Sequence, residues 1–368
     1  MTENRFTQSI LIPDFGIPPK QEPYQLTKND WHDGVLVRSP NWLGDVVMTF
    51  PALLQLRQIV PPYCGLFVQC PSAFVPLFRA LNIIDYVVPI ADSHAFLKRR
   101  ERKTVYSLNP GIGILFNNSF RDALSLKIAR VPKLFGASAR FRSWLLEKSF
   151  EFEPRRDFVL NAPHQAQKYL SMVYALGAPE WQGNMPEMTP QAEPEILSRS
   201  VLALQDHDNI LVIAPGAAYG DAKRWDAARF REVASYWIDK GGIAVAVGAK
   251  NERSAATETL SGLPPHSAFN LAGETTLTEL MYLLKRAKMV AANDSGVMHL
   301  ATALGTKGVA VFGSTDYIAT GPLSKQWRIV YANPDCGPCF KRICPNGSRK
   351  CFEQIEAKTV ISAIEQLQ

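Results

Sequence analysis

Gly34-Val35-Leu36-Val37-Arg38-Ser39-Pro40-Asn41-Trp42-Leu43-Gly44-Asp45-Val46-Val47-Met48 decides how the chain is read. Residues 34–37 form a short apolar run, the pattern of a buried strand. A helical period then runs from Met48 to Ile59. Gly44 and Asp45 are therefore expected on a strand-to-helix turn. Open α/β sheets collect ligands at the carboxyl ends of their strands. A carboxylate on such a turn, beside a glycine that lets backbone come close, is placed for chemistry. Asp45 is the candidate general base.

Outward from this stretch, apolar runs alternate with helical periods. Leu66-Phe67-Val68, Tyr86-Val87-Val88 and residues 112–116 read as strands. Helical patterns lie near residues 73–81, 120–129 and 164–176. The same alternation resumes after a proline-bearing stretch at 178–208, which has only a short helix near Glu195 to Leu204. Strands are expected at 210–214, 243–247, 289–292 and 309–312, with helices at 227–238, 277–287 and 297–304. Alternation of this kind implies βαβ units and parallel sheets. The fold class expected is α/β, with two doubly wound, Rossmann-like domains facing a cleft. They span 31–190 and 191–335. Residues 1–30, broken by Pro13, Pro18, Pro19 and Pro23, are expected to form a loose extension with no assigned role. Residues 336–368 hold a cysteine-bearing loop and a last amphipathic helix, expected to cross back to the first half.

Composition narrows the class. A chain of 368 residues is too long for one ordinary core. No apolar run approaches the ~18 residues of a membrane span. The first thirty residues lack the apolar core of a secretory signal, so a cytoplasmic protein is expected. The net charge of +6 suits nucleic acid, an anionic membrane face or a phosphorylated substrate. No zinc-finger spacing, stacking-aromatic motif or basic arm supports nucleic acid. No G-x-G-x-x-G follows a strand, and Gly111-Ile112-Gly113 lacks the third glycine, which speaks against an NAD oxidoreductase.

Two further stretches carry chemistry. Pro215-Gly216-Ala217-Ala218-Tyr219-Gly220-Asp221-Ala222-Lys223-Arg224-Trp225 follows a strand. Gly216 and Ala217 let amides approach an anion, and Lys223 adds a compact positive charge. Asp226 is placed to cap the next helix. The alternative is a glycine-bearing turn with a solvated Lys-Arg pair. Asn293-Asp294-Ser295-Gly296-Val297-Met298-His299 joins a strand to a helix. The helix N-terminus suits a diphosphate, with Ser295 capping it or donating to phosphate. Asp294 is expected to take sugar hydroxyls. His299, one turn into the helix, reads more as a packed structural residue than as an acid or base. Together the two stretches predict a nucleotide-sugar site in the second domain. With a base across from it, single displacement with inversion follows. A nucleotide-binding module without catalysis is the rival of another class.

These three motifs, in this order, resemble those of the bacterial lipopolysaccharide heptosyltransferases, glycosyltransferase family 9, over roughly residues 33–368. Pro-Asn-Trp-Leu-Gly-Asp, Ala-Lys-Arg-Trp and the cysteine-bearing tail are most similar to the heptosyltransferase II branch. The resemblance implies a GT-B fold and transfer of L-glycero-D-manno-heptose from ADP-heptose. The acceptor implied is a Kdo-lipid A-type molecule already bearing its first heptose. First-heptose transfer, or another nucleotide sugar, is the alternative. It makes Asp45 the catalytic base, Lys223 the phosphate-binding lysine and Asp294, Ser295 and Gly296 the donor loop. His299 joins that donor set, and Gly273 and Thr275, within Leu271-Ala272-Gly273-Glu274-Thr275, fall beside the adenine. No cofactor is expected to be required. An aspartate, Asp226, stands where the family often has proline after Lys-Arg-Trp.

Asn41 and Trp42, with Arg100, Arg121 and Arg142, are the acceptor candidates, all in the first domain. Arg100 belongs to the basic run Lys98-Arg99-Arg100-Glu101-Arg102-Lys103, a solvated loop or a dock for acceptor phosphates and the anionic inner leaflet of the membrane. Cys336, Cys339, Cys344 and Cys351 are spaced C-x2-C-x4-C-x6-C. The spacing suits a structural zinc. Four reduced thiols in an irregular loop is the alternative. Cys64 and Cys70 read as small core residues.

Overall fold

The computed structural model describes residues 7–11, 15–16, 18–152, 163–191, 197–217 and 220–368. The chain divides into two compact units. One contains a six-stranded sheet and takes residues 16–152 and 163–191 among those described. The other contains a seven-stranded sheet and takes residues 197–217 and 220–368 among those described, together with the N-terminal strand β1 (Thr7–Leu11).

The six-stranded unit runs β2 (Gly34–Arg38), α1 (Leu43–Met48), α2 (Phe50–Ile59), β3 (Gly65–Pro71), α3 (Val75–Arg79), β4 (Tyr86–Ile90), α4 (Arg99–Leu108), β5 (Ile112–Leu115), α5 (Phe120–Ile128), β6 (Lys133–Ala137), β7 (Lys148–Phe150) and α6 (Gln165–Tyr174). Its strands lie in the order β4-β3-β2-β5-β6-β7, all parallel. That is the doubly wound order, with the reversal between β2 and β5. Strand β2 is buried along its whole length, as expected where helices cover both faces of a parallel sheet. Leu36, Phe67, Leu115, Leu126 and Leu134 form part of its core.

The seven-stranded unit runs α7 (Arg199–Leu202), β8 (Ile210–Ala214), α8 (Ala227–Asp239), β9 (Ile243–Ala246), α9 (Arg253–Leu260), β10 (Ala268–Asn270), α10 (Leu277–Arg286), β11 (Met289–Asn293), α11 (Gly296–Ala303), β12 (Gly308–Phe312), α12 (Tyr317–Thr320), β13 (Trp327–Ala332), α13 (Lys350–Glu353) and α14 (Ala357–Glu365). The order is β1-β13-β12-β11-β8-β9-β10. Strands β8 to β13 are parallel and repeat the doubly wound order, reversing between β8 and β11.

Several expectations are corrected. The leader is not a loose extension throughout: β1 adds an antiparallel edge to β13, from Thr7 opposite Ala332 to Leu11 opposite Arg328. Further along, Tyr24 donates its amide to the Ala175 carbonyl and packs edge-on against Phe135 at 5.0 Å. Residues 1–6, 12–14 and 17 of the leader lie outside the described residues, as do Glu195 and Ile196 of the expected linker helix. The last helix does not cross back. Ala357, Val360, Ala363 and Ile364 pack into the seven-stranded unit's core with Trp237 and Val309. Each fully buried Val or Ile stabilises by about 1.5–3 kcal/mol, so this face commits α14 to its own unit. The basic run at 98–103 is helical, not a loop. Glu101 accepts from the Lys98 amide at 2.6 Å and from the Ala91 amide at 2.9 Å, closing the start of α4. Among the described residues, no helix is long and apolar enough to cross a membrane.

Candidate active site

In the seven-stranded unit, the loops after β8 and β11 meet at the reversal of strand order. Asn293, fully buried at the end of β11, donates its side-chain amide to the Pro215 carbonyl at 2.8 Å. Its carbonyl oxygen accepts from the Trp225 amide at 3.0 Å. One side chain thus clamps both ends of the 215–225 loop. Trp225 is itself buried, edge-on to Phe230 at 4.8 Å. Asp226 caps α8 through the Ala228 amide at 2.8 Å, as its position predicts.

Lys223 stands on the clamped loop. Its Nζ lies 2.6 Å from Asp294 Oδ2, with the two side chains 15% and 5% exposed. Thr315 donates its hydroxyl to the same oxygen at 2.7 Å. Asp294 was expected to take sugar hydroxyls. In the structure its Oδ2 holds the lysine and the Thr315 hydroxyl. An ammonium can donate in three directions, and the bond to Asp294 fixes where this one points. Ser295 precedes α11 without capping it, and its buried Oγ has no hydrogen-bond partner. A buried hydroxyl without a partner is costly; a phosphate oxygen at the α11 N-terminus would satisfy it. Gly296 opens that helix.

His299 is buried in α11, and burial pushes its imidazole down to about 4, opposed by the Asp294 charge and reinforced by Lys223. It is neutral at pH 7 and no acid catalyst there. The sign of its linkage is fixed: its stabilising contribution is complete above the unfolded value near 6.5 and is lost as pH falls toward 4. The full loss is of order 3 kcal/mol. Urea denaturation at pH 7 and pH 4.5 should show that His299→Gln flattens this decline; an unchanged slope would contradict it.

Gly216 has no room for a side chain. A Cβ there would fall 2.3 Å from Glu252 Cδ. Ala217 is buried beside it. Ala218 and Tyr219 of the same motif lie outside the described residues. Gly273 has φ +76°, the left-handed region, and a Cβ would meet the Lys250 backbone at 2.7 Å. Its amide bonds the Gly248 carbonyl at 2.9 Å. Gly273 and half-buried Thr275 sit past β10, two strands from the reversal.

The six-stranded unit has a parallel arrangement. Arg38, at the end of β2, is fully buried, its Nε 3.0 Å from Asp122 Oδ2 on α5. This pair spans the reversal between β2 and β5. Arg38 also donates to the Ser39 carbonyl at 2.5 Å and to Asn41 Oδ1 at 2.9 Å. Ser119 caps α5 through the Asp122 amide at 3.1 Å. The loop leading to Asp45 is therefore held by a buried guanidinium. Asp45 is half-buried in the first turn of α1, which begins at Leu43, five residues before the expected helix. Helix N-termini accommodate negative charge. Buried Tyr169 of α6 lies near it: burial and then the Asp45 charge raise the Tyr169 phenol well above its ordinary range.

The acceptor candidates separate. Asn41 is turned toward Arg38, and Trp42 is 62% exposed. Arg100 is exposed on α4. Arg121, in the first turn of α5, has a buried Nε without a hydrogen-bond partner. Arg142 is a correction. It is fully buried, donates twice to the Ala137 carbonyl at 3.0 and 3.1 Å, and reaches the Ser119 carbonyl at 3.4 Å. Burial lowers it to about 10. Its donors are spent on main chain, so it shapes the 137–142 turn and is closed to an acceptor phosphate. Thr315, Asn293 and Tyr169 are contributors that the residue pattern did not reveal. Asn293 opens the 293–299 stretch without a role of its own there, and Thr315 leaves a trace as a polar residue just past a buried strand.

The model of glycosyltransferase family 9 (heptosyltransferase) matches residues 100–350. The chain belongs to that family. This family 9 chain is 28% identical over 309 residues to lipopolysaccharide heptosyltransferase 2 of Escherichia coli strain K12, covering 80% of this chain and 87% of that protein. It is 26% identical over 347 residues to lipooligosaccharide heptosyltransferase 2 of Campylobacter jejuni, serotype O:6, covering 90% and 98%. Among solved structures, E. coli ADP-heptose LPS heptosyltransferase II superposes with a TM-score of 0.74 at 24% identity, covering 90% of this chain and 98% of that one. The fold is thus the GT-B pairing of two Rossmann-like units, and the family 9 chain is a glycosyltransferase.

Proposed function

We propose that this glycosyltransferase moves L-glycero-D-manno-heptose from ADP-heptose onto the first heptose of the lipopolysaccharide inner core, with inversion. The observation that carries the reading is the Lys223–Asp294–Thr315 group beside the unpartnered Ser295 hydroxyl, at the strand reversal of the seven-stranded unit. The likeness to heptosyltransferase 2 proteins supports the sugar and the acceptor. As the bond from the heptose anomeric carbon to the diphosphate breaks, its electron pair goes to ADP. Lys223, Ser295 and the α11 N-terminus neutralise the charge that develops there. The acceptor hydroxyl attacks the same carbon and gives its proton to Asp45. No cofactor enters the step. The test is to incubate the purified chain with ADP-heptose and acceptors bearing zero or one heptose, then weigh the products. Mass gain confined to the one-heptose acceptor is expected. Gain on the heptose-free acceptor, or none on either, overturns the assignment.

The acceptor is lipid-linked, and the six-stranded unit has a surface suited to the cytoplasmic face of an anionic bilayer. Phe141 is 95% exposed and Trp144 73% exposed on the loop after β6, next to Arg140. Trp144 leans on Phe120 at 6.2 Å. Aromatics beside arginines suit a lipid interface. Binding to anionic vesicles should weaken with salt. The double change Phe141→Ser and Trp144→Ser should reduce it at least about tenfold without altering ADP affinity. Equal sedimentation with both vesicle types, anionic and neutral, would rule the patch out.

A further inference from the structure

The loop between β13 and α14 is irregular, yet it is bonded directly to the donor site. A Cβ at Gly220 would fall 2.5 Å from the Arg342 carbonyl, and Gly220 has φ +150°. That carbonyl accepts from the Ala222 amide at 3.1 Å, next to Lys223. Arg349 donates to the Arg224 carbonyl at 3.1 Å. The Phe340 amide donates to the Ser314 carbonyl at 2.8 Å, next to Thr315. Both sides of the Lys223–Asp294 group are therefore tied to one loop.

Three thiols on this loop and a fourth, Cys351 in α13, gather together. Cys336, Cys339, Cys344 and Cys351 line a single cavity of about 30 Å³, room for one atom of water size. Cys336, Cys339 and Cys344 all lie within electrostatic reach of Cys351. The amides of Asn346 and Arg349 lie by the Cys344 sulfur, the arrangement that stabilises a charged sulfur, while the Gly347 amide donates to the Cys344 carbonyl at 3.3 Å. Ser314, 2% exposed, also lines the cavity, and its hydroxyl has no hydrogen-bond partner. Among the described residues, no three ligating side chains already stand in coordination geometry; the sulfurs form the wall of the cavity and not yet a tetrahedron.

We propose that Cys336, Cys339, Cys344 and Cys351 bind one zinc ion as four thiolates, and that the metal-bound loop is the strut that positions the turn carrying Lys223. Zinc takes four sulfurs in a tetrahedron, and a closed set of four is structural. Binding draws the thiols inward and releases their protons. In effect the ion replaces a hydrophobic core that this loop lacks: the segment from 333 to 349 contains no strand or helix. The zinc assignment stands on the cysteine cluster alone. The strut rests on the donor-site reading above.

The experiment is metal analysis of the full chain purified under reducing conditions without chelator. One zinc per chain is expected, with loss of zinc in Cys336→Ser and in Cys344→Ser. Cobalt substitution of the folded chain should give the charge-transfer bands of a tetrathiolate, and this reports the site even where a variant folds poorly. ADP titration of holoprotein and zinc-depleted protein should show affinity falling about 5- to 10-fold on depletion, roughly the worth of one hydrogen bond. No zinc, iron in its place, or zinc retained in both variants overturns the site. Zinc present and lost as expected, with ADP affinity unmoved, overturns the strut. A holoprotein that binds zinc but no ADP refutes the donor reading and leaves the metal site intact.

Discussion

Asp45→Asn is expected to bind ADP like the unaltered chain and to transfer heptose about 10²- to 10⁴-fold more slowly, the usual worth of a general base. The substitution keeps size and hydrogen-bonding reach but removes the proton acceptor. Asp45 lies on the six-stranded unit, whereas the group assigned to the diphosphate lies on the seven-stranded unit. The donor equilibrium should therefore not register the change. Product mass in a timed assay, paired with ADP calorimetry, separates the two readouts. The loop before Asp45 hangs on Arg38, buried against Asp122, and Asn does not disturb that pair. A lost rate thus cannot be charged to a collapsed loop, provided the thermal midpoint is retained. Wild-type turnover in this variant would refute the assignment of the base.

Lys223→Ala should weaken ADP binding about 10- to 100-fold, since a charge-assisted bond is worth about 1.5–3 kcal/mol. Its effect on stability is separable. Removing the ammonium leaves the Asp294 carboxylate, 5% exposed, with the Thr315 hydroxyl still donating to it. Breaking a buried pair from one side costs about 3–5 kcal/mol. Adding Asp294→Asn removes the stranded charge. The double variant is expected to recover most of the stability and none of the affinity. Affinity returning with stability would mean that Lys223 acts only by holding the loop. Calorimetry of ADP binding beside urea denaturation of both variants and the unaltered chain decides the point.

The βαβ rhythm was legible because it is local. An apolar run such as residues 210–214 announces a strand whoever its neighbours are, and strand β8 occupies those residues. The three ligand-bearing stretches were legible for the same reason, each following a buried strand. Misreadings fell where local pattern and tertiary partner diverge. The leader carries prolines and no period, yet β1 pairs with β13. Arg142 looks like any surface cation in the sequence, and only the turn around it reveals that carbonyls consume its donors. The final helix is amphipathic in any setting, and its core was found in its own unit.

Taken by itself, the order of residues determined that this is a doubly wound α/β chain, that Asp45 and Lys223 follow strands, and that four cysteines cluster late in the chain. Those properties depend on spacing within a few turns of chain. What only the tertiary structure decided is which side chains meet: Lys223 with Asp294, 71 positions away, Asp45 with Tyr169, and the cysteine loop with the turn at 220–224. Such meetings follow from strand order and from loops closing over a sheet's carboxyl edge. Hydrophobic period does not encode them, because it sets which face of an element is buried and says nothing of which polar groups arrive opposite one another.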